Sequence, residues 1–135
     1  MNIADRLYAR VSEICGNVAP FAGSYLKSRL EAFERNEIGI VQFKLDMRIA
    51  STRLSEAHAE LNAIRFPKFR ERVAHAGLAS ALQHYGRAIP LMVQAVETDN
   101  PALLRRADGH IDAASRGADA YFSRVYRSRT EKVVG

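Results

Sequence analysis

The stretch Ile40–Ile64, IVQFKLDMRIASTRLSEAHAELNAI, decides the fold. Its apolar residues Ile40, Phe43, Met47, Ala50, Leu54, Ala57, Leu61 and Ile64 advance by three and four positions without a miss. A strand would alternate every second residue. A seam repeating about every 3.5 residues is instead that of a helix packed lengthwise against other helices. A second row, Ile38, Val41, Leu45 and Ile49, falls on roughly the opposite side of the same helix. The N-terminal half of this helix is therefore expected to be covered from two directions, which supports a self-associating or docking protein; the competing reading is that the broken first helix of the chain covers the second row.

The same period extends toward the C-terminus. Beyond Pro67 the seam is His75, Leu78, Leu82, Tyr85, Ile89, Met92 and Val96. Beside it Ala74, Ala81, Ala88 and Ala95 recur once per heptad, which lets a neighbouring helix approach closely. Pro90 lies inside this segment and removes one backbone donor, so a kink is expected there rather than an end. Asn100-Pro101 reads as a helix start, because asparagine caps well and proline suits the first turn. The last helix then carries Leu104, Ala107, Ile111, Ala114, Ala118, Tyr121 and Val125 on one face, with Arg105, Asp108, Asp112, Arg116 and Asp119 opposite.

Toward the N-terminus the pattern is less regular. Leu7, Val11, Ile14 and Val18 suit one short helix, and Leu26, Leu30 and Phe33 another, with Gly16-Asn17 and Pro20 between them. A single helix from Ser24 to Arg65 is the rival reading; Asn36 and Gly39 favour a turn instead. Matched helix lengths and short connections then demand antiparallel neighbours. The expectation is an all-α chain, an up-down-up-down four-helix bundle with its first helix broken near residues 16–20. One domain covers 1–135, with helices at about 3–35, 38–65, 68–98 and 101–128 and a tail at 129–135.

Composition agrees with this. The chain has 135 residues, 47% hydrophobic and 26% charged, which suits a folded domain rather than a disordered chain. No apolar run approaches the ~18–20 residues of a membrane span. Asp5 stands where a secretory signal would be apolar, so a cytoplasmic location is expected.

The residues that carry chemistry do not gather. A carboxylate-bridged di-iron site needs Glu-x-x-His on two helices. The residues three before His58, His75, His84 and His110 are Ser55, Arg72, Ala81 and Ala107. With Cys15 the lone cysteine, multi-Cys metal sites and covalent haem are excluded. His75 falls on the core seam and lacks the lysine that would follow a phosphoacceptor histidine. His58, between Glu56 and Glu60, reads as part of a solvated face. No nucleophile and base can be paired. No catalytic residue, metal or cofactor is expected.

Charge placement says more. The net charge is +5, and basic residues crowd two places. Arg65, Lys68, Arg70 and Arg72 surround Phe69 at the second turn, and Arg124, Arg127, Arg129 and Lys132 close the chain. In an up-down-up-down bundle these segments meet the N-terminal Arg6 and Arg10 at one pole, opposed only by Asp5, Glu71 and Glu131. Such a pole steers anionic partners. Arginines at helix ends also complement the helix dipole, which accounts for Arg65 and Arg124–Arg129 without any partner. It does not account for Lys68, Arg70 and Arg72, which stand at a helix start.

These features lead to an expected function as a non-enzymatic protein–protein interaction module of the adaptor, chaperone or neutralising type. Its partner would be another protein or a second copy of the chain, with the basic pole meeting an anionic group. Nucleic-acid binding through the same pole is the alternative. A third reading is a small-ligand pocket between helices near the Pro90 kink, built from His84, Tyr85, Gly86 and Pro90.

Overall fold

The computed structural model describes residues 2–134, with side chains as far as Val125. Five helices follow one another: α1 (Ile3–Val18), α2 (Gly23–Glu34), α3 (Ile40–Ala63), α4 (Phe69–Thr98) and α5 (Pro101–Val134). α1 and α2 together form the first member of a four-helix bundle. No strand occurs among the described residues.

Each boundary has a local cause. Asn2 caps α1, its side chain accepting from the Asp5 amide at 2.8 Å. The break after α1 sits at Pro20, inside a 3-10 turn of Ala19–Phe21, while Gly16 and Asn17 remain helical. Proline has no amide to continue the hydrogen-bond ladder, whereas an isolated glycine only weakens a helix. α2 then begins at Gly23, where an added Cβ would lie 3.3 Å from the Tyr85 hydroxyl. Tyr85 is itself fixed by a 2.9 Å hydrogen bond with Ser115 on α5.

α2 and α3 are separate helices. Asn36 takes φ 61°, the left-handed conformation that asparagine tolerates. Its amide donates to the Phe33 carbonyl at 3.0 Å, and the Glu37 amide to Ala32 at 2.8 Å. That is a Schellman termination with asparagine in the position glycine usually fills. Asp99, at φ 51°, reverses the chain between α4 and α5. There the Asn100 side chain accepts from the Ala102 amide at 3.0 Å. Asn100→Ala is expected to cost about 1 kcal/mol of unfolding free energy, read as a shifted urea midpoint with an unchanged slope.

α4 continues through Pro90 without interruption. It packs along α5 on one side and α3 on the other, while α1 lies on α3 and α2 reaches α3, α4 and α5. α1 makes no close backbone approach to α5 among the described residues. The α4–α5 pair is antiparallel, with Tyr85 meeting Ser115, His84 meeting His110, and Ala81 in contact range of Gly117. The small residues at this seam allow the close approach.

The core is built from the seams read in the sequence. Phe43, Met47, Ala50, Leu54, Ala57 and Leu61 of α3 are buried, as are His75, Leu78, Leu82, Tyr85, Ile89 and Met92 of α4. Two expectations need correction. α5 continues to Val134, so the segment from 129 is helical as far as Val134 rather than a tail. The first helix does not cover the second row beyond Ile38, which packs against the core: Val41 is 79% exposed, Leu45 45% and Ile49 42%. α1 and α2 pack against other sides of α3, through Arg10–Glu60 and Arg29–Asp46, and leave this row facing outward.

Candidate functional site

Three surface features are candidates, and none is a catalytic constellation. The first is the outer face of α3. Val41, Leu45 and Ile49 recur every four residues and so form one straight row. Lys44, on the α4 side of the row, is bridged to Glu97 at 2.5 Å; Asp46, on the other side, is held by Gln42 at 2.7 Å and Arg29 at 3.5 Å. Lys44 and Asp46 are thus paired within the chain, Arg48 beside the row has no ion-pair partner among the described residues, and the aliphatic row is left open.

The second is the basic pole. Tyr8 of α1 donates to Glu71 of α4 at 3.3 Å, which brings the starts of these two helices together. The antiparallel register carries Arg124 of α5 to the same end. Several of the basic residues are engaged locally. Arg10 pairs with Glu13 and Glu60, each at 3.2 Å. Arg72 donates to the carbonyls of Phe66 and Pro67, and Arg65 to that of Asn62. Arg65 thus ties down a carbonyl of the last turn of α3 and Arg72 two carbonyls of the loop that follows, so Arg72 has a structural role that a helix start alone does not suggest. Arg6, Lys68, Arg70 and Arg124 have no ion-pair partner among the described residues. Phe69, between Lys68 and Arg70, is 72% exposed. The side chains of Arg127 and Arg129 lie outside the described residues.

The third feature is a pair of histidines that the sequence did not connect. His84 and His110 meet across α4 and α5, Nδ1 to Nδ1 at 3.0 Å. Burial holds His110 below the usual histidine value, and His84, Arg87 and Arg106 push it the same way. This contact separates the four residues expected near the kink. Gly86 and Pro90 line a groove of about 400 Å³ between α3 and α4. His84 turns instead to α5, and Tyr85 is buried against Ser115. The four therefore do not converge on one ligand.

The remaining reactive groups are quiet. Burial pushes the Cys15 thiol up to about 11, the wrong direction for a nucleophile. His75 is buried, with Nε2 on the Leu61 carbonyl at 2.5 Å and its ring 5.1 Å from that of Phe66. The Tyr121 hydroxyl is buried without a hydrogen-bond partner among the described residues, at the inner edge of a groove between α1 and α5. Burial raises its pKa, so the phenol stays neutral. No group of three or more metal-ligating side chains occurs among the described residues. Nor is any described helix long and apolar enough to cross a membrane.

Fold and surface together define a helical bundle whose prominent features are surfaces rather than an enclosed site. No protein family, curated protein or solved structure matches the chain.

Proposed function

We propose that this protein is a non-enzymatic protein–protein interaction module that associates with a second copy of itself through the outer face of α3. The basic pole is left free in that arrangement for an anionic partner. The observation that carries the reading is the exposure of Val41, Leu45 and Ile49 in a single row. Each aliphatic side chain removed from water contributes about 1.5–3 kcal/mol when fully buried, and nothing in the chain supplies that cover.

A second copy fits the row. Val41 and Ile49 are equidistant from Leu45, so a two-fold axis over Leu45 sets Val41 against Ile49 twice, as closed pairing requires. The same axis places Arg48 beside Gln42 of the other copy. A parallel pairing would bring the two Arg48 side chains together. The bridged Lys44–Glu97 and Arg29–Asp46 pairs flank the contact, and Arg48, facing the Gln42 amide oxygen of the other copy, is the charge left at its edge. Three aliphatic residues make a small interface, so the dimer is expected to be reversible at micromolar concentration.

Leu45→Glu tests this. Sedimentation of the wild type across a concentration series is expected to show monomer–dimer exchange. Leu45→Glu, at a site already 45% exposed, keeps the fold and weakens association at least about a hundredfold. A wild type that stays monomeric at every concentration overturns the self-association reading.

A further inference from the structure

A pair of histidines crosses the outer α4–α5 seam, His84 and His110, with ring centroids 5.2 Å apart and tilted by 32°. Arg87, on the rim of the groove between α3 and α4, and Arg106 on α5 both act on His110 as nearby positive charges. Arg87 stands one turn after His84 on α4, and Arg106 one turn before His110 on α5. Because the helices run antiparallel, both steps lead toward the same end of the bundle, so both arginines lie on that side of the histidine pair.

Among the described residues no acid forms an ion pair with them. Asp112 lies on the other flank of α5, bridged to Lys27 of α2 at 3.7 Å, and Asp108 shares that flank one turn earlier. His58 lies in the groove between α3 and α4 whose rim Arg87 also lines, and brings no negative charge to it. Neither Arg87 nor Arg106 has an ion-pair partner among the described residues. Four neighbouring basic groups with no acidic partner among the described residues repel one another only weakly at these exposed or half-buried positions, and an anion would turn that repulsion into attraction.

The geometry points to His84, Arg87, Arg106 and His110 as a binding site for a tetrahedral dianionic oxyanion of the phosphate-monoester class. Guanidinium groups offer planar pairs of donors that match such oxygens. The histidine pair adds a proton-linked component. In the neutral pair one Nδ1–H donates to the other Nδ1, and only the accepting ring carries hydrogen on Nε2. One further proton on the pair keeps the Nδ1 contact and gives both rings an Nε2–H donor. Without ligand, burial and the cationic neighbours hold His110 toward its neutral form. A bound dianion reverses that balance, so binding takes up a proton and strengthens as pH falls from about 8 to 6.

The test is a histidine Cε1–H NMR titration with and without inorganic sulfate, which stays dianionic across this range. It is paired with calorimetry at pH 6 and pH 8. The expected result is a raised His110 midpoint with sulfate and binding about tenfold tighter at pH 6. Arg87→Ala and Arg106→Ala, both at exposed positions, each weaken binding about tenfold or more with an unchanged thermal midpoint. Inorganic phosphate and phosphatidic acid vesicles then separate a soluble phosphate ester from a lipid headgroup. Binding to either that is lost in Arg87→Ala supports the site and names the source. Histidine titrations indifferent to millimolar sulfate overturn the proposal, as does a response to zinc alone. The site is remote from α3, so Leu45→Glu should bind sulfate as the wild type does, which keeps this test independent of self-association.

Discussion

Replacing Phe43 by alanine is expected to cost about 3–5 kcal/mol, the largest single effect of any side chain on α3. Phe43 is wholly buried and packs its ring 5.6 Å from that of Phe33. It thereby joins α3 to α2 across the turn that separates them. Truncation removes the transfer free energy of the ring and leaves a cavity that two rigid helices cannot fully close. A domain of this size is stable by only about 5–15 kcal/mol, so the variant should unfold at a much lower urea concentration. Val41→Ala, two residues away and 79% exposed, serves as the comparison and should move the midpoint by less than about 0.5 kcal/mol. A loss below about 1 kcal/mol for Phe43→Ala would mean that the α2–α3 contact is not part of the cooperative core.

The second large effect concerns Asp46, whose side chain is only 10% exposed. Its carboxylate accepts from the Gln42 amide at 2.7 Å and faces the Arg29 guanidinium at 3.5 Å. Arg29 also lies over the Tyr25 ring, 5.9 Å from its centroid, and its Nε is buried without a partner among the described residues. Asp46→Ala strands that cation between α2 and α3. A fully buried pair broken in this way costs about 3–5 kcal/mol; with Arg29 one-third exposed, about 2 kcal/mol is expected. The double variant Arg29→Met/Asp46→Leu should recover most of the loss, because two apolar side chains avoid the desolvation that both charges suffer. Equal losses for the single and double variants would show that shape, rather than charge, governs the site.

The helical seams were legible because burial and period coincide. Phe43 to Leu61, Leu78 to Met92 and Ala107 to Ala114 occupy in three dimensions the faces that their spacing assigns. The turn at Asn36 was legible for a local reason, the ease with which asparagine enters the left-handed region. The second row on α3 left two readings open, because an apolar period records a preference for burial without naming what provides it. Val41, Leu45 and Ile49 have that preference and no cover within the chain, which makes them the starting point for a functional reading. His84 and His110 were missed for a different reason. Their contact spans a helix reversal, and neither residue has a local motif to announce it. Arg72, read as a free charge at the pole, donates to the carbonyls of Phe66 and Pro67 in the loop after α3. The pole itself was an expectation from chain direction alone.

Self-pairing of α3 is the claim on which the functional account rests, and a single cysteine tests it directly. In a Cys15→Ser background, Leu45→Cys places one thiol where the two-fold axis brings the residue against its own copy. Mild oxidation should convert the protein to a covalent dimer, while Cys15→Ser with cysteine at Glu13, an exposed site on α1, should remain monomeric. No covalent dimer through position 45 at concentrations where the wild type self-associates would contradict the account.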